Sequence, residues 1–121
     1  MRPKQNKRKL GAKVEQAVKQ YLTERGFVIL AMNYRCQQGE IDIVAREESY
    51  YVFIEVKYRS STRYGFPQEA VGFVKQRRVC NAAKFYLYSH NLGESTPVRF
   101  DVAAVYKDQI TYYKDAFSFC L

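Results

Sequence analysis

The segment from Gly39 to Arg59 constrains the fold of this chain more than any other segment. Ile, Val, Phe and Tyr dominate it on both sides of the charged turn Arg46–Ser49, which is typical of two β-strands joined as a hairpin. These strands also contain Glu40, Asp42 and Glu55. A carboxylate inside such a strand loses hydration at a free-energy cost unless a partner such as a metal ion compensates for it. The sequence therefore predicts a hairpin that carries a charged site.

Length and composition predict one folded domain. With 121 residues, of which 47% are hydrophobic and 16% aromatic, the chain is long and apolar enough to bury a core. We expect residues 1–8 to form a mobile basic arm and residues 9–121 to form a single domain.

Charge and cysteine usage narrow the classes of function. The formal net charge of +8 favours a polyanionic partner, with nucleic acid first and an anionic membrane surface second. The three cysteines are widely spaced and form no CxxC pair, so we expect a reducing, cytoplasmic compartment without a disulfide framework or structural zinc site. The single histidine, His90, excludes most histidine-based metal sites and triads. We expect no signal peptide and no membrane span, because no apolar run is long enough.

Hydrophobic periodicity predicts an α/β domain with a central mixed sheet flanked by helices, in the order αβββαβ with a further edge strand. Gly26 is expected to cap the first helix. The expected elements are helices at Lys9–Arg25 and Pro67–Tyr88, and strands at Phe27–Met32, Glu40–Ala45, Tyr50–Tyr58, Val98–Tyr106 and Ile110–Tyr113. The candidate buried residues of the second helix are Val71, Val74, Ala82, Phe85 and Tyr86.

The turn of the hairpin decides which carboxylates face each other. A two-residue turn at Glu48–Ser49 places Asp42 directly opposite Glu55. A four-residue turn at Arg46–Ser49 places the same two residues diagonally. In both registers Asp42, Glu55 and Lys57 lie on one face of the sheet, with Cβ atoms about 5 to 8 Å apart. Either spacing suits carboxylates that converge on one cation.

The donor atoms of this face indicate which cation it would take. Carboxylate oxygens without His or Cys partners select a hard ion, so Mg²⁺ or Mn²⁺ is the expected cofactor. The alternative is a cross-strand salt-bridge patch of Asp42, Glu55 and Lys57 on an exposed sheet. Both faces of the strands are largely apolar and a helix is predicted on each side, which favours the metal site.

Two sets of motifs carry a resemblance to known proteins. Ile41-Asp42, followed after twelve residues by Glu55-Val56-Lys57, resembles the D…(D/E)xK signature of the PD-(D/E)xK nuclease superfamily. From Gly11 to about Val105 the chain is similar to the YraN-like family of small bacterial proteins. The segments that carry this family resemblance are Gly11-x3-Glu15-x-Ala17, Gly39-Glu40-Ile41-Asp42, Val52-Phe53-Ile54-Glu55-Val56-Lys57-x-Arg59, Ala70-Val71-x3-Lys75-Gln76-Arg77-Arg78 and Arg99-Phe100-Asp101-Val102.

The resemblance implies a fold and a set of roles. The fold would be restriction-endonuclease-like, as in archaeal Holliday-junction resolvases, so that residues 9–121 form a single nuclease-like domain. Asp42 and Glu55 would be metal ligands, and Lys57 would be the catalytic lysine. Glu15 matches the helix-one glutamate that contributes to such metal sites in resolvase-like members, which act as dimers. Ile41 departs from the superfamily pattern, which has Pro at this position.

These observations predict a metal-dependent endonuclease. Its expected substrate is DNA rather than RNA, and branched or flapped DNA is the candidate form. The alternative is a nucleic-acid-binding module that keeps the fold without turnover. A protein–protein adaptor would leave the carboxylates unexplained. Tyr58, Tyr64 and Phe66 are candidates for stacking on unpaired bases. The candidate phosphate-binding residues are Arg59, Arg63, Lys75, Arg77 and Arg78.

Overall fold

The computed structural model of the chain describes residues 3–59 and 71–119, with side chains from Leu10 onward. These residues form a mixed α/β domain in the predicted order. Its helices are α1 (Pro3–Glu24) and α2 (Phe73–Ser89), and its strands are β1 (Val28–Cys36), β2 (Gly39–Glu47), β3 (Tyr50–Arg59), β4 (Val98–Tyr106) and β5 (Gln109–Phe117).

The five strands form one sheet in the order β1-β2-β3-β4-β5. Neighbouring strands are antiparallel except for β3 and β4, which are parallel and are separated in sequence by α2. Antiparallel neighbours can be joined by short turns, whereas a parallel pair needs a crossover connection. The sheet is therefore mixed and β5 lies at an edge, which confirms the predicted architecture and its restriction-endonuclease-like αβββαβ core.

A helix covers each face of the sheet. Helix α1 buries Val14, Val18 and Leu22 on one face, and α2 buries Val79, Ala82 and Tyr86 on the other. The strand residues that pack on the α1 side include Ile43, Ala45, Val52, Ile54, Ala103 and Val105. Those on the α2 side include Ile41, Val44, Phe53, Phe100, Val102 and Phe117. The two cores make the central strands apolar on both sides, as their sequences predict.

Helix α1 is longer at its start than its apolar stripe indicated. It begins at Pro3, so residues 3–8, which were expected to form a separate arm, belong to the helix. Proline is compatible with a first helical turn because its missing N–H would have no partner there. The predicted end is confirmed, since Gly26 has a φ of +93° and the Phe27 N–H donates to the Leu22 carbonyl oxygen at 3.0 Å.

Helix α2 begins at Phe73, with Gly72 at its N-cap position. The predicted start at Pro67 and the predicted loop at residues 60–67 lie outside the described residues. Two of its predicted core positions are wrong, because Val74 is 73% exposed and Phe85 is 38% exposed. Both lie outside the buried stripe, which consists of Val79, Cys80, Ala82, Ala83 and Tyr86.

The β2–β3 turn has the shorter of the two predicted forms. Glu47 pairs with Tyr50, so the turn contains only Glu48 and Ser49. This register would place Asp42 opposite Glu55, but the ladder between the strands ends one pair earlier. Neither helix has the length and apolar content to cross a membrane, within the described ranges.

Candidate active site

Strands β2 and β3 separate at the acidic pair of Asp42 and Glu55. The last residues paired through their backbones are Ile43 and Ile54. Beyond them, side-chain carboxylates bind backbone N–H groups of the opposite strand. The Asp42 N–H donates to Glu55 Oε2 at 3.2 Å, and the Val56 N–H donates to Asp42 Oδ2 at 2.8 Å. Each carboxylate thus binds the backbone of the other strand. This exchange fixes both side chains on rigid strands rather than on a loop.

Helix α2 adds a cation to the pair. Glu55 is only 2% exposed, and its Oε1 lies 3.4 Å from Lys75 Nζ. The same ammonium lies 4.0 Å from Glu40 Oε1, near the start of β2. Glu55 therefore uses one oxygen for the Asp42 N–H and presents the other to Lys75.

Burial controls the protonation of the pair. Desolvation is the main cause that raises the pKa of Glu55, to about 8, and the negative charge of Asp42 raises it further. The attraction of Lys75 opposes this rise without cancelling it, although the two groups are at ion-pair distance. Burial also raises the pKa of Asp42, with smaller contributions from Glu15 and Glu40. The positive charge of Lys75 is therefore not sufficient to keep both carboxylates ionised.

A cleft brings the three predicted catalytic residues together. It has a volume of about 290 Å³ and is lined by Asp42, Glu55, Val56, Lys57, Val71, Gly72 and Lys75. Lys57 is exposed, so its ammonium is accessible to a bound molecule. The predicted common face of the three residues therefore corresponds to one cleft, at the α2 side of the sheet.

Glu15 lies next to the carboxylate cleft and not within it. It lines a second cleft with Tyr58 and Val56, on the α1 side of β3. Its carboxylate accepts a hydrogen bond from Asn33 Nδ2 at 3.0 Å, and its charge contributes to the raised pKa of Asp42. Among the described residues, no three His, Cys, Asp or Glu side chains are grouped as a metal site. The metal role of Glu15 stays a prediction.

The predicted phosphate-binding residues differ in exposure. Arg77 and Arg78 are exposed on α2, whereas Arg59 is buried, with 8% of its surface accessible. Lys75 lies in the carboxylate cleft itself. Arg63, like Tyr64 and Phe66, is outside the described residues.

Comparison with known proteins assigns the chain to a family. A model of the family described as Uncharacterised protein family UPF0102 matches residues 14–105. The chain belongs to the UPF0102 family. This result confirms the YraN-like resemblance predicted from the sequence motifs. The matched range begins within α1 and ends in β4, so it contains Glu15, Asp42, Glu55, Lys57 and Lys75.

The UPF0102 relatives span nearly the whole chain. A UPF0102 protein of Lachnoclostridium phytofermentans is 54% identical over 112 residues, which cover 93% of this chain and 95% of that protein. One from Caldanaerobacter subterraneus is 42% identical over 103 residues, covering 85% of this chain and 84% of that protein. One from Legionella pneumophila is 36% identical over 109 residues, which cover 88% of this chain and 92% of that protein. These UPF0102 proteins carry the family name alone, so they give no reaction.

Sequence reasoning missed a second polar cluster in this UPF0102 member, on the face covered by α1. Asp101 is fully buried and accepts hydrogen bonds from Arg99 Nε at 2.9 Å and from the Tyr112 hydroxyl at 2.6 Å. Arg99 also binds Glu47 at 2.8 Å, and Glu47 binds Lys114 at 2.9 Å. Two acids and two bases balance here. The alternation of Arg99 and Asp101 along β4 is the one sequence signal of this cluster.

The pKa shifts of this second cluster fit a closed network. Burial raises the pKa of Glu47, but the hydrogen bonds from Lys114 and Arg99 outweigh it and leave the pKa lowered. Burial and the charge of Asp101 raise the pKa of Tyr112, which keeps its hydroxyl protonated as a donor. The charges of this cluster therefore balance, in contrast to the Asp42–Glu55 pair, where the single ammonium of Lys75 faces two carboxylates.

Proposed function

We propose that this protein is a Mg²⁺- or Mn²⁺-dependent endonuclease that hydrolyses phosphodiester bonds in DNA, with branched or flapped DNA as its substrate. The observation that carries the proposal is the carboxylate pair formed by the half-buried Asp42 and the buried Glu55. Strands held together by such a pair would be more stable with apolar or amide side chains, because burial removes the carboxylates from water and their like charges repel each other. A pair that costs stability and opens into a cleft is typical of a catalytic site.

The donor set of the pair fits a divalent metal ion. Asp42 and Glu55 offer carboxylate oxygens, which hard cations such as Mg²⁺ and Mn²⁺ prefer. The raised pKa of Glu55 means that ion binding at neutral pH would release a proton from this residue. When bound, the ion would supply charge neutralisation at the phosphate and a more acidic water. Glu15 is the candidate for a third carboxylate, because its charge already influences Asp42.

Lys57 supplies a positive group that the substrate can reach. Its side chain is exposed and lines the cleft beside Glu55. An ammonium at this place would contact a non-bridging phosphate oxygen and stabilise the negative charge that develops there. We assign Lys57 to charge stabilisation and water orientation first, and to proton abstraction second.

The surroundings of the cleft suit a nucleic acid. Arg77 and Arg78 are exposed on α2, the helix that also carries Lys75, and the chain has a net charge of +8. Such residues would make phosphate contacts that weaken as salt concentration rises. Phe73, which follows the cleft residue Gly72, is 67% exposed, and Tyr58, in the neighbouring cleft of Glu15, is 42% exposed. Exposed aromatic rings beside a cleft can stack on unpaired bases, which favours branched or flapped DNA.

Cleavage assays with matched variants test this function. We expect the wild-type protein to cleave flapped or four-way DNA with Mg²⁺ or Mn²⁺, in preference to linear duplex, single strands and RNA. Glu55→Ala and Lys57→Ala should each reduce the rate by about 100-fold or more, because each removes a group from the cleft. Glu94→Ala and Lys84→Ala are the charge-matched controls, since both residues lie outside this cleft. Equal activity in all five proteins would mean a contaminating nuclease.

A non-catalytic nucleic-acid-binding module is the second candidate. It is favoured by the position of Glu15, which is bound to Asn33 rather than grouped with Asp42 and Glu55 as a metal site. Salt-sensitive DNA binding without metal-dependent cleavage would select this candidate. The homodimer and the cytoplasmic location stay predictions, and sedimentation velocity tests the first of them.

A further inference from the structure

Lys75 has a position that the proposed phosphate contacts do not explain. Its ammonium lies inside the carboxylate cleft, 3.4 Å from the buried Glu55 and 4.0 Å from Glu40, while 41% of its side chain remains exposed. Asp42 lines the same cleft. Lys75 therefore shares one cleft with both members of the acidic pair. A lysine whose role was only to contact a distant phosphate would not need this placement.

The fold holds Lys75 at this place through close packing of α2 on β2. Gly39, at the start of β2, has no Cβ, and a Cβ there would overlap the carbonyl oxygen of Arg78. Lys75 lies three residues before Arg78, so it is on the same side of the helix. The first turn of the helix is fixed further by Gln76, whose Nε2 donates to the Val71 carbonyl oxygen at 2.8 Å. The position of the ammonium thus follows from rigid elements.

The two oxygens of Glu55 are already divided between partners. Oε2 accepts the Asp42 N–H and Oε1 faces Lys75. Oε1 is therefore the oxygen that a metal ion would bind without breaking the link between β2 and β3. A divalent ion and an ammonium at one oxygen repel each other, and the partly exposed side chain of Lys75 can move toward solvent.

We propose that Lys75 is the resident counter-cation of the Asp42–Glu55 pair, and that a divalent metal ion displaces its ammonium from Glu55. This inference rests on the metal site of the proposed function. The displaced ammonium becomes available to a phosphate group at the mouth of the cleft. Metal and phosphate binding are then positively coupled, because the ion frees a cation that the phosphate needs.

Titration calorimetry with Mn²⁺ and Mg²⁺ tests the competition without any substrate. The proteins are the full-length wild type, Lys75→Met and Lys84→Met. Lys84 is the matched control, since it is an exposed lysine of the same helix, located outside the cleft. We expect Lys75→Met to bind Mn²⁺ about two- to fivefold more tightly than the wild type, the size of effect of a partly exposed ion pair. Lys84→Met should match the wild type.

Two further variants keep the test valid if Lys75→Met does not fold, as judged by circular dichroism. Lys75→Arg retains the charge and should bind Mn²⁺ no more tightly than the wild type. Lys75→Gln, which removes the charge with little loss of volume, should behave as Lys75→Met does.

The outcomes separate this inference from the proposed function. Wild-type binding with unchanged or weaker binding by Lys75→Met overturns the role of Lys75 alone. Binding by Lys75→Met with none by the wild type supports the counter-cation role but overturns both the displacement of Lys75 by the metal ion and the metal-dependent nuclease, because the lysine would then hold the site permanently. Binding by neither protein overturns both.

Discussion

Glu55 determines the chemistry of the cleft at the scale of single residues. A carboxylate that is 2% exposed and has a pKa of about 8 is mostly protonated at neutral pH without a further cation. The neutral form of Glu55 is stable in the buried cleft, whereas its ionised form can bind a hard metal ion. Burial also raises the pKa of Asp42. The pair therefore links protonation, metal binding and stability.

This linkage predicts how stability depends on pH in the metal-free protein. The pKa of Glu55 is higher in the folded chain than its ordinary value of 4.5, so the folded state binds more protons between about pH 4.5 and pH 8. The free energy of unfolding should fall across this window as pH rises, by up to about 1.4 kcal/mol per pH unit, and level off above it. Glu55→Gln should remove most of this slope. Urea unfolding at pH 5, 6.5 and 8 measures it.

The exposed Glu94 provides the control for this measurement, because Glu94→Gln makes the same change of charge outside the cleft. We expect Glu94→Gln to keep the wild-type slope. A wild-type protein whose stability is constant or rises from pH 5 to pH 8, with Glu55→Gln indistinguishable from it, would show that the buried acid is ionised in the folded state.

At the scale of elements, the contact between α2 and β2 positions the cleft. A Cβ at Gly39 would overlap the backbone of Arg78, so α2 would have to move away from β2. We expect Gly39→Ala to lower the free energy of unfolding by about 1 to 3 kcal/mol, the usual cost of overpacking. It should also weaken the contact of Lys75 with Glu55, because the lysine moves with the helix.

Urea unfolding compares Gly39→Ala with Gly93→Ala. A Cβ at Gly93 meets nothing within 4 Å, so this control should change stability by less than about 0.5 kcal/mol. Equal effects of the two substitutions would mean that the close approach of α2 to β2 is not required.

The sequence predicted elements well where the signal was local. The period of the apolar residues gave both helices and all five strands, with Val98–Tyr106 at its observed bounds. The hairpin register was limited to two choices, and the structure selects the turn at Glu48 and Ser49. The core of α2 was partly wrong because Val74 and Phe85 are apolar but face outward, which local composition does not reveal.

The part of the candidate site that lies within the β2–β3 hairpin was predictable from the sequence. Asp42, Glu55 and Lys57 are separated by a short turn, so alternation alone placed them on one face. The contact of Lys75 with Glu55 depends on how α2 docks on the sheet, which needs the Gly39 contact as well. Contacts between distant segments have no periodic signal in one sequence, and the Glu15–Asn33 hydrogen bond belongs to the same class.

At the scale of the whole molecule, the two faces of the sheet carry polar clusters of opposite character. On the α2 side, Asp42 and Glu55 have less positive charge than they need, and their pKa values are raised. On the α1 side, Asp101 is buried among balanced partners, with Arg99 and Tyr112 as donors. Balanced buried networks stabilise a fold, whereas a carboxylate cluster with too little positive charge can bind a cationic ligand.

Paired substitutions test this division of roles. Asp101→Ala leaves the buried side of Arg99 and the Tyr112 hydroxyl without their acceptor, so we expect a loss of about 3 kcal/mol or more in the free energy of unfolding. Mn²⁺ affinity, measured below the melting temperature, should stay at the wild-type value because Asp101 and Glu55 point to opposite faces. Glu55→Gln should do the reverse, with metal binding lost and stability at pH 8 raised. Asp108→Ala, at an exposed turn, is the control for both measurements. If Asp101→Ala abolished Mn²⁺ binding in the folded protein, the two clusters would form one functional unit across the sheet.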